Sequence, residues 1–452
     1  MIDLITLENY RCFQREQFAE LSPLTLLVGE NSTGKSSFLS IIRSLAGLAT
    51  DSRIPDFKEE PFDLGSFDEI VFNGGTQKSK PNWFKAGCRF RSSSARRNSD
   101  SKNSTTYDFK FQSLGTAPFP VRRRVCDGEY WIEDEFFRGS RRSIELGCPR
   151  GVWRREFNPS SVEPFEREFD RLPSNFLLFG ATERYSDDET DFKFKPVGDS
   201  PPFEYKDDER LRWMRLGSRR IRFKTHSSAP VRSRPRRTYD PARPTPDPEG
   251  DYIPMLLAEY YLQNRKVWNR LKAALERFGK QSGLFDEISI RELGKTGSEP
   301  FQIQIRKSAS KRRKGPRRNL TDVGYGVSQV LPIVTELLRS SGASLYLLQQ
   351  PEVHLHPSAQ AALGDLFCSV ARSRRQLIVE THSDYLIDRV RMAVRDRSTR
   401  LSPRDVSILF FERAGLDVQV HSLRIDKEGN ILNAPPGYRR FFMEETQRSL
   451  GL

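Results

Sequence analysis

Residues 29–37 read GENSTGKSS and fit the phosphate-binding template Gly-x-x-x-x-Gly-Lys-Ser/Thr. Glycines at 29 and 34 let the backbone curl, so that successive amide groups and the next helix N-terminus can surround phosphate oxygens. The apolar run LTLLV before the motif is typical of a strand, and SSFLSIIRSLAGL after Lys35 has helical spacing. This strand, loop and helix order predicts a nucleotide site in which Lys35 contacts the terminal phosphates and Ser36 binds Mg²⁺.

Two later apolar strands end in polar residues, within SLYLLQQPEVHLHP (344–357) and QLIVETHSDYL (376–386). Helical spacing at 327–339, 358–371 and 384–394 alternates with these strands and with VSILFF at 406–411, which predicts a largely parallel sheet. Because the carboxyl ends of parallel strands share one edge, we expect these polar residues near the phosphate loop. Three of the five histidines, His354, His356 and His382, lie in these segments, so a metal cluster is an alternative interpretation.

LTDVGYGVSQVLPIV at 320–334 places Gly324, Gly326 and Ser328 just ahead of an apolar helix. A helix start with a capping serine is one interpretation, and an anion site at the helix N-terminus is the other.

The remaining segments differ in residue composition and in the secondary structure that they predict. Residues 76–224 mix charged, serine and aromatic residues, with strand-like pieces such as TYDFKFQ and SNFLLFG, and RFRSSSARRNSDSKNSTT predicts a flexible loop. The proline- and arginine-rich segment 228–250 predicts an irregular connector. Behind it, the spacing predicts one long amphipathic helix over 251–279 with Asp251 as N-cap, and then a hairpin of DEISIREL and PFQIQIRK.

Composition limits the class of protein. Of 452 residues, 36% are apolar and 30% are charged, no run of 18 apolar residues exists, and no leader precedes the first strand, so we expect a cytoplasmic protein without membrane contact. The five cysteines form no CxxC pair and are expected to be reduced packing residues. The net charge of +14 favours nucleic acid as a partner or reflects a merely soluble basic surface.

Five segments in this order resemble ABC-type AAA-family ATPases of the AAA15 and AAA21 groups, relatives of the OLD, RecF and SMC/Rad50 heads. They are LENYRCF, LTLLVGENSTGKSSFL, VGYGVSQVLPIV, QQPEVHLHP and ETHSDYL. The end, LRIDKEGNILNAPPGYRRFF, is similar to a DUF3696-like tail. The resemblance implies an α/β fold: an ABC-type P-loop NTPase head with a mostly parallel sheet, plus an inserted, partly β-rich arm. It divides the chain into ATPase segments 1–75 and 225–452 around an insertion of unknown role, 76–224.

The resemblance also implies a site with ATP and Mg²⁺ as cofactors in a head-to-head dimer. Gly326, Ser328 and Gln329 of one subunit would close over the nucleotide of the other, and His382 matches the switch histidine. The nucleotide-binding residues would be Gly29, Asn31, Ser32, Thr33, Gly34, Lys35, Ser36 and Ser37.

The chain departs from the family where its Walker B strand ends. Two acids are usual there, one holding Mg²⁺ and one polarising water, whereas this chain has Gln349 and Gln350. An amide is not a general base and is a weaker Mg²⁺ ligand than a carboxylate. We therefore expect slow hydrolysis, or a substitute base in Glu352 or Glu380. The implied catalytic residues are Lys35, Gln350, Glu352 and His382, and the implied metal ligands are Ser36 and Gln349.

Three functional hypotheses follow. The first is a dimeric ATPase that acts as sensor or scaffold for a separate effector, a nuclease, in bacterial antiphage defence, resembling ATPase subunits of systems such as Septu and PARIS. We expect a separate effector because only 70 residues follow His382, too few for a nuclease domain. The second is a RecF-like repair ATPase that binds DNA through basic segments such as RKSASKRRKGPRR (306–318). The third is a housekeeping ATPase without nucleic acid.

Overall fold

The computed structural model describes residues 1–51, 57–58, 60–75, 80–91, 104–136, 142–157, 193–196, 198, 224–295, 299–308, 315–339, 344–372, 375–397, 399 and 401–438. The strands are β1 (Ile2–Glu8), β2 (Gln17–Glu20), β3 (Leu24–Gly29), β4 (Trp83–Arg91), β5 (Ser104–Leu114), β6 (Ala117–Asp127), β7 (Tyr130–Phe136), β8 (Arg142–Cys148), β9 (Gly151–Phe157), β10 (Lys193–Pro196), β11 (Thr225–Ser228), β12 (Glu287–Glu292), β13 (Phe301–Arg306), β14 (Arg317–Asn319), β15 (Leu345–Gln349), β16 (Gln376–Glu380), β17 (Val406–Ala414), β18 (Asp417–Ile425) and β19 (Ile431–Leu432). The helices are α1 (Lys35–Asp51), α2 (Phe67–Ile70), α3 (Ile253–Gln263), α4 (Arg265–Ser282), α5 (Tyr325–Leu338), α6 (Pro357–Val370) and α7 (Asp384–Arg395).

The chain forms two compact units. The first comprises Met1–Leu21, Asn31–Phe223 and Phe411–Val420, and the second comprises Ser22–Glu30, Lys224–Phe410 and His421–Leu452.

The first unit contains a nine-stranded sheet in the order β10-β9-β8-β7-β6-β5-β4-β1-β2, in which every paired neighbour is antiparallel. One face of this sheet buries aromatic rings, and Phe84 and Phe111 stack with centroids 4.7 Å apart. Arg123 and Asp134, both almost fully buried, form an ion pair at 2.7 Å between β6 and β7. The predicted strand-rich character of the insertion is confirmed, and β4 of that insertion pairs with β1.

The second unit is built around the sheet β11-β15-β16-β3-β17-β18-β19, of which β17 and β18 also run into the first unit. Its strands β11, β15, β16 and β3 are parallel, as predicted. β15 and β16 are buried along their whole length, which explains why each is a continuous apolar run. The predicted hairpin is confirmed as β12 and β13, and a third strand, β14, extends it.

Four sequence predictions were wrong or lie wholly or partly outside the described residues. The long helix is two helices, because Asn264 leaves the helical conformation and its side chain accepts a hydrogen bond from Val267 N, capping α4. Asp251 is not the N-cap; it pairs with Arg236, and Asp247 accepts the amide groups ahead of α3. The predicted flexible loop at 89–106 is strand at both ends, whereas residues 92–103 and the strand-like SNFLLFG lie outside the described residues.

All five cysteines are free thiols, as predicted. Within the described ranges, no helix has both the length and the apolar character needed to cross a bilayer.

Candidate functional site

The phosphate loop, residues 29–37, begins where β3 leaves the parallel sheet. Leu27 pairs with Glu380 of β16, and Thr381 N donates to Leu27 O at 3.1 Å. Ser32 and Gly34 have φ values of +60° and +83°, and α1 begins at Lys35. Left-handed residues next to a helix start turn backbone amides inward, which is the geometry of a phosphate-binding nest. The backbone here therefore fits the triphosphate of a nucleotide.

Gly34 lies in this loop at a point where the structure leaves no room for a side chain. A Cβ there would lie 2.3 Å from Cys12 Sγ and 3.1 Å from Phe13 Cζ. Thr33 and Lys35 on either side are buried, whereas Asn31, Ser32 and Ser36 are exposed and Ser37 is half-buried. The predicted nucleotide-binding residues thus lie in the loop and in the first turn of α1, with some side chains buried and others exposed.

The ends of β15 and β16 bring the predicted Walker B residues together. Gln349 pairs in register with Glu380, and Gln350 N donates to Glu380 O at 2.9 Å. The Gln349 side chain is buried, and its amide nitrogen donates to Ser228 O at 3.4 Å. Its amide oxygen is the atom suited to a cation. Because an amide is uncharged, Gln349 would be a weaker Mg²⁺ ligand than a carboxylate at the same position.

Glu352 links the turn after β15 to the segment that carries His382. Its Oε1 accepts a hydrogen bond from His382 N at 2.7 Å, whereas its Oε2 is buried and has no hydrogen-bond partner within 3.5 Å among the described residues. Burial raises the pKa of the Glu352 carboxyl, and the hydrogen bond from His382 N opposes this rise. The His382 side chain itself is exposed. A carboxyl held in this way can accept a proton more readily than an ordinary glutamate, as a substitute base would need to.

The signature segment, residues 324–329, packs beside the same turn. A Cβ on Gly326 would lie 2.7 Å from His354 O, and the rings of Tyr325 and His354 meet edge to face at 5.0 Å. Ser328 Oγ donates to Tyr325 O at 2.8 Å within the first turn of α5. The side chains of Ser328 and Gln329 are buried within their own subunit.

The sequence interpretation missed one residue that joins these parts. Arg232, in the segment after β11, is only 1% exposed and donates to the carbonyl groups of Gln329, Gln349 and Gln350. Burial lowers its pKa to about 10, and Glu352 partly opposes this effect. The guanidinium therefore stays charged at neutral pH. Nothing in the sequence distinguishes Arg232 from Arg234, Arg236 and Arg237 nearby, which are exposed.

Among the described residues, no three His, Cys, Asp or Glu side chains come together as a metal site requires.

Comparison with known proteins identifies the family. Residues 24–388 match the family described as "AAA domain, putative AbiEii toxin, Type IV TA system". No curated protein is similar enough to count as a match.

Three of the similar solved structures are SMC heads. The SmcHead bound to the C-winged helix domain of ScpA has 13% identity and a TM-score of 0.43, covering 94% of this chain and 98% of that one. The SMC head domain from Thermotoga maritima has 12% identity and a TM-score of 0.39, with coverages of 93% and 98%. The Smc head domain with an extended coiled coil, bound to the C-terminal domain of ScpA derived from Pyrococcus furiosus, has 12% identity and a TM-score of 0.43, with coverages of 100% and 98%. No functional conclusion follows from similarities this low.

The family match covers well over half of the chain and includes the phosphate loop, the signature segment and the ends of β15 and β16. The chain therefore belongs to this AAA-domain family, and its phosphate loop follows a strand of a largely parallel sheet, as the sequence predicts.

Proposed function

We propose that this protein binds ATP with Mg²⁺ at the phosphate loop, hydrolyses it slowly, and uses the bound nucleotide to control self-association and a separate effector protein. The observation that carries this proposal is the loop backbone, in which Ser32 and Gly34 adopt left-handed conformations directly before α1. The backbone amide groups of the loop and the positive end of the dipole of the 17-residue helix α1 both favour a bound polyanion at the N-terminus of α1.

Within this site, the residues of the chain have separate roles. Lys35 would neutralise the terminal phosphates, and Ser36 and Gln349 would offer oxygen ligands to the magnesium ion. Magnesium, when bound, would withdraw charge from the phosphate oxygens. Gln350 would orient water without removing its proton, because an amide does not act as a base. Slow hydrolysis suits a protein whose ATP-bound state is the signal.

Nucleotide binding has a direct test in Lys35→Ala. We expect the variant to lose binding of a fluorescent ATP analogue, because the buried ammonium group supplies the main side-chain charge of the loop. Lys427→Ala is the matched control, since Lys427 is exposed and lies outside the site. Equal affinity of wild-type protein and Lys35→Ala would exclude this nucleotide site.

Self-association is supported by apolar side chains exposed around the signature and switch segments. Tyr325 is 42% exposed, Tyr385 is 57% exposed and Val231 is 72% exposed. Exposed aromatic groups of this kind favour a protein interface. Analytical ultracentrifugation with and without ATP tests the dimer, and a monomer under both conditions would contradict it.

The effector remains the part of the proposal that depends on family analogy. The family description names a toxin of a Type IV toxin–antitoxin system, which supports a role in bacterial defence. Purification of the tagged chain from its native cell should yield a stoichiometric partner, a nuclease. If the chain instead purifies alone and binds DNA with an affinity that falls steeply with salt, the RecF-like alternative is correct.

A further inference from the structure

Among the described residues of the second unit, Arg232 is the most deeply buried cation, and it contacts both the signature segment and the end of β15. Its Nε donates to Gln329 O at 3.2 Å, in the signature segment. Its Nη1 donates to Gln349 O at 3.3 Å and to Gln350 O at 3.4 Å, at the end of β15. One planar group therefore joins the first turn of α5 to the end of the Walker B strand.

The link is reciprocal. Gln329 Oε1 accepts from Arg232 N at 3.3 Å, and Gln329 Nε2 donates to Arg232 O at 3.4 Å. The Gln329 side chain thus binds the backbone of Arg232, and the Arg232 side chain binds the backbone carbonyl group of Gln329. A rigid displacement of α5 would carry Arg232 with it and strain its bonds to Gln349 and Gln350.

Structural stability alone is a poor reason for this arrangement. In the described part of the chain, every hydrogen-bond acceptor of the Arg232 side chain is a carbonyl oxygen, including Ala229 O and Pro230 O of its own turn. Burying a charged side chain costs desolvation free energy, and carbonyl groups offset this cost less completely than a hydrogen-bonded carboxylate would. An apolar side chain of similar length would avoid the desolvation cost. The planar fork of five donors is the property that an apolar side chain would lack.

We infer that Arg232 is a positioning residue that transmits the nucleotide state between the end of the Walker B strand and the signature segment. Gln350 has a φ of +41°, an uncommon conformation, and the bond to its carbonyl group helps to hold it there. A change at Gln350 on nucleotide binding would therefore pass through Arg232 to Gln329 and α5. This inference rests on the proposed function.

The test is Arg232→Met, which keeps the length of the side chain and removes its donors. Arg234→Met is the matched control, since Arg234 is exposed two residues away. The affinity for a fluorescent ATP analogue and the hydrogen exchange of the amides in residues 325–332 are measured for all proteins, with and without ATP. In wild-type protein and Arg234→Met, ATP should slow exchange in 325–332 by at least about fivefold. In Arg232→Met at saturating ATP, we expect less than about twofold slowing of that exchange. If the folded variant no longer binds ATP, Arg232 serves nucleotide binding itself and the inference is overturned.

Arg232→Lys tests whether the donors are responsible. Lysine has a charge but no planar fork, so it should restore only part of the ATP-dependent slowing. Wild-type slowing in a folded Arg232→Met, or no slowing in wild-type protein that binds ATP, would overturn the inference and leave the proposed function intact. If neither variant folds, Arg232 serves folding and the inference is also overturned. If wild-type protein binds no ATP, the proposed function itself fails.

Discussion

Gly34→Ala should damage the phosphate loop through one identifiable atomic overlap. The added methyl group would sit at a φ of +83° and lie 2.3 Å from Cys12 Sγ. The left-handed conformation costs an alanine about 1–2 kcal/mol. Forcing Cys12 aside adds about 1–3 kcal/mol, the usual cost of overpacking. The total loss of unfolding free energy should be about 2–5 kcal/mol.

The two contributions can be separated because one of them depends on a single sulfur atom. Burial raises the pKa of the Cys12 thiol to about 11, so the thiol is neutral at pH 7 and its removal changes packing rather than charge. In the Cys12→Ala background, the Gly34→Ala change should retain the conformational cost of about 1–2 kcal/mol, together with the close contact of the methyl group with Phe13 Cζ at 3.1 Å. The double-mutant cycle should therefore show a coupling of at least about 1 kcal/mol.

Equilibrium urea unfolding and binding of a fluorescent ATP analogue provide the two measurements. Gly47→Ala is the control: it adds the same methyl group to α1 where nothing lies within 4 Å, and it should stabilise the helix by about 0.5–1 kcal/mol. Gly34→Ala should also weaken ATP binding, and Cys12→Ala should partly restore it in the double variant. An equal loss of stability in Gly34→Ala and in the double variant would refute the steric explanation.

Three further changes test other parts of the molecule. Gln350→Glu should raise steady-state ATP turnover by about 10²-fold if this position faces the attacking water, because it supplies a general base; unchanged turnover would assign the base elsewhere. Arg123→Met should lower the unfolding free energy by about 3–5 kcal/mol, measured in urea, since it leaves Asp134 charged and buried; a loss below about 1 kcal/mol would contradict this. The unfolding free energy of Glu352→Gln, compared with that of wild-type protein, should increase as pH rises above the usual pKa of a carboxyl group. The raised pKa of Glu352 means that the folded state holds the proton more tightly than the unfolded state, so wild-type protein loses stability as pH rises through that pKa. A difference in stability that does not vary with pH would show that Glu352 titrates normally.

The parts of the fold that sequence could predict are those whose signals are local. β3, the phosphate loop and α1 are consecutive, and each has its own pattern, so their order follows from one short segment. β15 and β16 are continuous apolar runs because both of their faces are buried. The break between α3 and α4 at Asn264 was missed because the helical spacing of apolar residues continues across it. The break is marked only by the side chain of Asn264, which caps α4, and one residue gives no periodic signal.

The sequence predicted which segments lie close together at the candidate site, but it did not predict the hydrogen bonds that join them. The pairing of Gln349 with Glu380 follows from parallel strands, so their proximity could be expected. Arg232 could not be found in this way, because its burial depends on α5 and β15 packing around a segment without regular structure. In sequence it is one arginine among several in a proline-rich stretch.

The strand order has a consequence for synthesis on the ribosome. β3 is flanked by β16 and β17, whose residues are translated about 350 residues after the phosphate loop. At the usual elongation rate of about 5–20 residues per second, the nascent chain spends roughly 20–70 seconds with LTLLV lacking both of its neighbours in the sheet. An apolar β-prone segment that waits this long is a binding site for chaperones and a risk for aggregation. If ATP binds at the proposed site, it cannot assist the early folding of this chain, because β16 and β17 on either side of β3 are among the last strands to be synthesised.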